Sequence, residues 1–248
     1  MCAFERSEKG MEFNMFNIIK IDELNVCNSY KENIMKFYKE IKNILKDKLM
    51  LFMVTGSVGI GKIHNGWSDI DILIVTKTYI IDDIKKIQKV ISKLSDIKIG
   101  TTIYSQKEFE NNMIDGKTMY SLLNLYSNNL YLNYYNTKLK IPAITLDMMK
   151  QKHLALLPDY IHKLKRLIYI NTFNKKAIIK TMNLIMKIYV VQKNVIPKEY
   201  EDVFNKFSYL YKFKEFDISQ ELNSNEMSKE FNNYIKKFIE FISNNKLL

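Results

Sequence analysis

The chain has 248 residues, of which 47% are hydrophobic and 12% aromatic, a composition typical of a globular protein with a substantial core. Seven glycines and three prolines argue against long disordered linkers, and no apolar run reaches the roughly 18–20 residues that a membrane-spanning helix needs. The net charge is +11, but the basic residues are almost all lysine. Because phosphate clamps favour arginine, this charge alone is weak grounds for a nucleic-acid partner.

The N-terminal segment and the cysteines bear on the cellular compartment of the protein. The first nine residues carry four charges and no apolar stretch of the kind a secretory signal contains. We interpret residues 1–14 as a poorly ordered leader within an N-terminal segment over 1–27. Cys2 and Cys27 are too few for a disulfide framework or a zinc site, which favours a reducing cytoplasm.

The next part of the chain predicts alternating helices and strands. Residues 28–49 place apolar side chains on one stripe with lysines opposite, which predicts an amphipathic helix. Further along, apolar runs and turn residues predict, in order, a strand over 49–55, a loop over 56–68, a strand over 69–75, a helix over 81–94 and a strand over 97–104. Residues 110–140 are expected to be helical and then irregular. This order predicts an α/β core over residues 28–140.

The last hundred residues have helical periodicity throughout. The predicted helices cover 145–157, 159–170, 175–192, 197–210 and 226–243. Pro158 predicts a break, with Asp159 at the start of the following helix, and Pro197 suits a first helical position. We therefore predict a helical bundle over residues 141–248.

Two patterns in Val54–Val75 compete for the functional interpretation. Gly56-x-x-x-x-Gly61-Lys62 matches a phosphate-binding P-loop up to the last position, which should be Ser or Thr but is Ile63. A P-loop lysine should also open a helix whose N-terminus holds the phosphates. The residues that follow include Gly66 and lead directly into another strand, so the P-loop interpretation is disfavoured.

The second pattern is a pair of aspartates. Asp69 and Asp71 lie at i and i+2, so in a strand both carboxylates point the same way. Such a pair is costly unless a cation neutralises it, although a solvated strand start has the same spacing. Magnesium is the natural cation, because it prefers oxygen ligands and bridges to phosphate oxygens. Two ions about 3.5–4 Å apart could share the pair.

The upstream turn decides between these interpretations. Gly56-Ser57 ends a buried strand and offers backbone N–H groups and a hydroxyl to a phosphate. This turn, about ten further residues and Ser68-Asp69-x-Asp71 resemble the signature of the DNA polymerase beta-like nucleotidyltransferase superfamily. The resemblance implies an α+β domain with a small mixed sheet and flanking helices. With the helical bundle, the layout is similar to that of bacterial aminoglycoside nucleotidyltransferases.

The resemblance also implies the roles of site residues. Asp69 and Asp71 would be catalytic and bind Mg²⁺, while Gly56, Ser57 and Ser68 would bind the nucleotide. Lys117, which follows a turn and precedes a helix, is a further candidate for neutralising the triphosphate.

The family pattern includes a third carboxylate on a later strand. Its expected position falls near Gly100–Thr102, where the sequence has no acid. Asp96, Asp115 and Asp159 are the candidates to replace it, and the remaining alternative is that no residue does.

The resemblance implies transfer of a nucleoside monophosphate from Mg·NTP to a hydroxyl of a small-molecule acceptor, with release of pyrophosphate. Two alternatives stay open. One is a toxin-like nucleotidyltransferase that modifies tRNA or protein, and the other is a nucleotide-binding protein without transferase activity. No membrane association is expected.

Overall fold

The computed structural model describes residues 19–63, 68–78, 80–94, 97–128, 133–169, 174–197, 200–224 and 226–245. The chain divides into two compact units, Met1–Thr145 and Leu146–Leu248. The leader expected over residues 1–14 lies outside the described residues. The domain boundaries predicted after residues 27 and 140 stay predictions.

The first unit contains a mixed sheet with strands in the order β3-β2-β1-β4. Strand β1 is antiparallel to β2 and β4, and β2 is parallel to β3. The strands are β1 (Leu49–Thr55), β2 (Ile70–Thr76), β3 (Ile99–Ser105) and β4 (Tyr134–Tyr135). The helices are α1 (Asn28–Leu45), α2 (Gly56–Gly59), α3 (Ile81–Lys93), α4 (Gln106–Glu110) and α5 (Gly116–Asn128). The predicted fold class, a small mixed sheet with flanking helices, is confirmed.

One face of this sheet forms the main core of the unit. The amphipathic stripe of α1 includes Ile34, Phe37 and Ile41, each fully buried. It packs in one cluster with Phe52 and Val54 of β1, Ile70, Ile72 and Ile74 of β2, and Ile87 of α3. Burial of this apolar surface is the main force that holds α1 and α3 against the strands.

The opposite face carries polar residues at one end of the strands. Side chains alternate along a strand, so Asp71 points away from the cluster that contains Ile70 and Ile72. The strand register sets Thr55, Asp71 and Gly100 side by side across β1, β2 and β3. The hydroxyl of Tyr104 on β3 lies 3.2 Å from Thr118 Oγ1, which brings α5 to this face.

The second unit is helical, as predicted. Its helices are α6 (Leu146–Tyr169), α7 (Lys175–Gln192), α8 (Tyr200–Tyr211), α9 (Ile218–Leu222) and α10 (Lys229–Asn244). The break predicted at Pro158 is wrong, because α6 continues through it. Met149, His153, Leu157 and Leu164 form one buried stripe that spans the proline, and this packing outweighs the lost backbone hydrogen bond.

Within the described residues, we find no helix of sufficient length and apolarity to cross a bilayer.

Candidate active site

The site is centred on Asp71, the second residue of β2. Thr55, the last residue of β1, lies directly opposite and donates its hydroxyl to the Asp71 backbone oxygen at 3.3 Å. Thr55 is a polar residue at the end of an otherwise apolar strand. That change in character is the signal by which the sequence could have indicated it.

Two glycines face the two oxygens of the Asp71 carboxylate. A Cβ atom at position 56 would lie 2.9 Å from Asp71 Oδ2, and one at position 100 would lie 3.2 Å from Oδ1. Gly56 also has φ = +66°, a backbone conformation that L side chains rarely adopt. A side chain at either position would therefore fill the space beside one carboxylate oxygen. Because neither glycine has a side chain, space for a ligand remains beside the carboxylate.

The Gly-Ser turn and the residue before the aspartates meet in space. Ser57 Oγ donates to Ser68 Oγ at 3.1 Å, which brings together two residues predicted to bind nucleotide. Tyr30 on α1 supports this contact by donating its hydroxyl to the Ser68 backbone oxygen at 2.9 Å. Burial raises the pKa of Tyr30, with smaller contributions from the charges of Cys27 and Asp69. The raised pKa keeps the Tyr30 hydroxyl protonated as the donor to Ser68.

Lys117 brings a positive charge to the site. Its Nζ lies 3.0 Å from Asp71 Oδ1, and the two side chains are 52% and 33% exposed. The helix that carries it is capped by Asp115, whose carboxylate accepts from the Thr118 backbone N–H at 2.6 Å. The Asp115 N–H in turn donates to the Tyr104 hydroxyl at 3.0 Å. These contacts fix the first turn of α5 beside β3 and so position Lys117.

A shallow cleft beside Asp71 and Lys117 is lined by hydroxyl groups. Its polar walls are formed by Thr55, Thr102, Thr118 and Ser121. Sequence reasoning did not find the last three, because they are 31 to 50 residues from Asp71 and nothing in the local pattern marks them.

The local fold also argues against a P-loop. A P-loop connects its strand to a helix that opens at the lysine, whereas β1 and β2 are antiparallel neighbours. Lys62 is not helical, and its N–H donates to the Ser57 backbone oxygen at 2.8 Å. The described residues between α2 and β2 form no further helix.

The carboxylate pair suits a hard divalent cation. Asp69 and Asp71 supply oxygen donors, and the two glycines keep space open beside the Asp71 oxygens. Which ion binds there, and the roles of Asp69, Asp71, Gly56, Ser57, Ser68 and Lys117, stay predictions.

The third carboxylate is not found among the described residues. They contain no group of three or more His, Cys, Asp or Glu side chains that could hold a metal ion. The β3 residue beside Asp71 is Gly100. Asp96 lies outside the described residues, Asp115 caps α5, and Asp159 belongs to α6 of the other unit.

Comparison with known proteins agrees with this architecture. Residues 34–121 match the family described as "Nucleotidyltransferase domain". The fold is similar to that of spectinomycin adenyltransferase AAD(9) from Enterococcus faecialis, whose crystal structure contains ATP and spectinomycin. The TM-score is 0.59 at 16% sequence identity, over 88% of this chain and 98% of that chain. Among curated proteins, none gives a significant match.

The matched residues include β1, β2, β3 and the N-terminal part of α5, and so contain every residue of the candidate site except Tyr30. The assignments of superfamily, fold class and transferase class made from the sequence are therefore confirmed. Residues 34–121 of this chain thus match a nucleotidyltransferase domain, in agreement with the DNA polymerase beta-like superfamily predicted from the sequence.

Proposed function

We propose that the protein transfers a nucleoside monophosphate from an NTP to a hydroxyl group of a small-molecule acceptor. The acceptor oxygen forms a bond to the α-phosphorus, and the bond from that phosphorus to pyrophosphate breaks. The hydroxyl proton is released to solvent. The observation that best supports this proposal is the convergence of a Gly-Ser turn, an aspartate pair and a lysine on one end of the sheet.

The chain's own groups suit the binding and orientation of a triphosphate. The Ser57 and Ser68 hydroxyls are 3.1 Å apart and can both reach one phosphate. The absence of a side chain at Gly56 allows the phosphates to approach the backbone beside Asp71. Mg²⁺ bound at Asp69 and Asp71 would neutralise phosphate charge and polarise the α-phosphate.

A small acceptor is the preferred substrate class. The structurally similar adenyltransferase was crystallised with ATP and spectinomycin, so one fold accommodates an NTP and a small molecule. We extend both features to this chain, with ATP as the first donor to test and the cytoplasm as the compartment. The free thiol of Cys27 is compatible with reducing conditions.

Nucleotide binding without transfer is the second candidate. The described residues contain no three-carboxylate cluster, whereas the resemblance to the superfamily implies a third acid that helps the acceptor hydroxyl to react. This candidate predicts metal-dependent NTP affinity without pyrophosphate release for any acceptor. The alternative of a tRNA acceptor, which the +11 charge mildly favours, predicts steeply salt-dependent acceptor binding.

The experiment compares the wild-type chain with Asp69→Ala/Asp71→Ala and with Asp82→Asn. Asp82 is an exposed acid on α3, outside the site, and serves as the control. Pyrophosphate release is measured with each NTP, Mg²⁺ and pools of hydroxylated small molecules, tRNA or protein. We expect release only with small molecules, loss in the double variant and retention in Asp82→Asn. Mg²⁺-dependent NTP binding that survives the double substitution would refute the site.

A further inference from the structure

We propose that the Lys117 ammonium takes the place of a second divalent ion beside Asp71, so that the domain works with one bound divalent ion. This inference rests on the proposed function for its catalytic consequence, but its structural content concerns cation binding and is testable separately. It starts from the pairing of Lys117 with one oxygen of Asp71.

The two oxygens of Asp71 face different surroundings. Oδ2 is next to Gly56 and therefore to the turn expected to hold the triphosphate. Oδ1 is next to Gly100 of β3 and is the oxygen that Lys117 contacts at 3.0 Å. One oxygen thus remains for an ion on the nucleotide side, while the other already has a cationic partner.

Within the described residues, strand β3 offers a divalent ion few ligands. Gly100, next to Asp71, has no side chain, and Thr102, which shares its face, supplies only a neutral hydroxyl. Strand β3 (Ile99–Ser105) contains no acidic residue, so a divalent ion there would share the Asp71 oxygen that Lys117 already contacts and would have an ammonium group as a close neighbour. Repulsion between a divalent ion and an ammonium group that share one carboxylate oxygen is strong wherever solvent is partly excluded. Lys117 therefore disfavours a second ion at a position where β3 supplies no acidic ligand.

The position of Lys117 on α5 indicates that its charge serves the site and not the stability of the helix. It lies in the first turn of a 13-residue helix, where the helix dipole disfavours a cation. Asp115, which precedes it, is engaged in capping that helix, so Asp71 is the carboxylate that pairs with Lys117. A lysine at this position stabilises the carboxylate and leaves a net positive end of α5 directed at the site. That arrangement suits an ammonium which neutralises developing negative charge.

The test counts divalent ions. Mn²⁺ binding to the full chain is measured by electron paramagnetic resonance with saturating α,β-methylene-ATP, after subtraction of Mn²⁺ held by unbound nucleotide. We expect one Mn²⁺ per chain for the wild type and Lys117→Arg, and a second, weaker Mn²⁺ for Lys117→Met. Lys85→Met, which removes an exposed lysine of α3 outside the site, should match the wild type.

The second measurement is kcat and its dependence on the Mg²⁺ concentration. Lys117→Met should lower kcat by about 10²-fold, as expected for loss of one electrostatic donor. High Mg²⁺ should restore part of the rate, with the dependence on Mg²⁺ changing from first to second order. Two Mn²⁺ ions in the wild-type complex would overturn the inference, as would a single Mn²⁺ and unchanged kcat in Lys117→Met. If no acceptor supports turnover, the proposed function fails while the Mn²⁺ count still decides the role of Lys117.

Discussion

Replacement of Gly56 by alanine should separate ligand binding from stability. At φ = +66° an L residue is strained by about 1–2 kcal/mol. The new Cβ would also lie 2.9 Å from Asp71 Oδ2, so the carboxylate must move. Because Asp71 is one-third exposed, it can rotate away at little further cost to folding. We expect Gly56→Ala to lose about 1–2 kcal/mol of stability and at least tenfold, about 1.4 kcal/mol, in Mg·NTP affinity.

Gly61 provides the matched control for this substitution. It has φ = +74°, and its Cβ would meet the Asn25 backbone oxygen at 3.0 Å rather than Asp71. Urea midpoints should therefore fall for both variants. Titration with Mg·ATP, followed by fluorescence of the single tryptophan, Trp67, should show weakened binding for Gly56→Ala alone. Equal losses of affinity in both variants would show that strain, and not the Asp71 carboxylate, controls binding.

Two further predictions concern the helical unit. Lys175 Nζ lies 2.7 Å from Glu221 Oε2, with both side chains over nine-tenths buried, so Lys175→Met should cost about 3–5 kcal/mol in urea unfolding. Lys206→Met, which breaks a more exposed pair, should cost under about 1 kcal/mol, and similar losses would contradict this reasoning. Burial raises the pKa of Tyr189, and of Tyr211 beside it, from 10.0 to about 12. The contribution of these two protonated tyrosines to the free energy of unfolding is complete below pH 10 and is lost as pH rises towards 12. Urea midpoints should therefore fall over that pH range, and they should fall less steeply in Tyr189→Phe.

The parts of the fold that were predicted correctly have strong local signals. Strands β1 and β2 are continuous apolar runs bounded by turn residues, and α1 has a clear amphipathic stripe. The two-residue β4 was missed because a strand that short has no periodicity to detect. The break predicted at Pro158 was wrong because a proline's disruption of helical hydrogen bonds is outweighed by buried packing along α6, which the local sequence does not show.

The residues of the candidate site also divide into those that the sequence spacing predicted and those that it did not. Gly56, Ser57, Ser68 and Asp71 fall within sixteen residues, and their spacing predicted that they would meet. Tyr30 supports Ser68 from 38 residues away, and no local pattern indicates that contact. Sequence periodicity can assign such residues to helices or strands, but only the packing of α1 and α5 on the sheet brings them to the site.

The structure also separates two aspartates that the spacing treats as equivalent. Asp71 lies in β2, where Thr55 binds its backbone oxygen and Lys117 its carboxylate. Asp69 precedes the strand, so alternation along β2 does not fix the direction of its side chain. Its charge contributes to the raised pKa of Tyr30. Contacts from β1 and from α5 therefore hold Asp71 in place. We therefore expect Asp71 to be the more firmly positioned of the two predicted cation ligands.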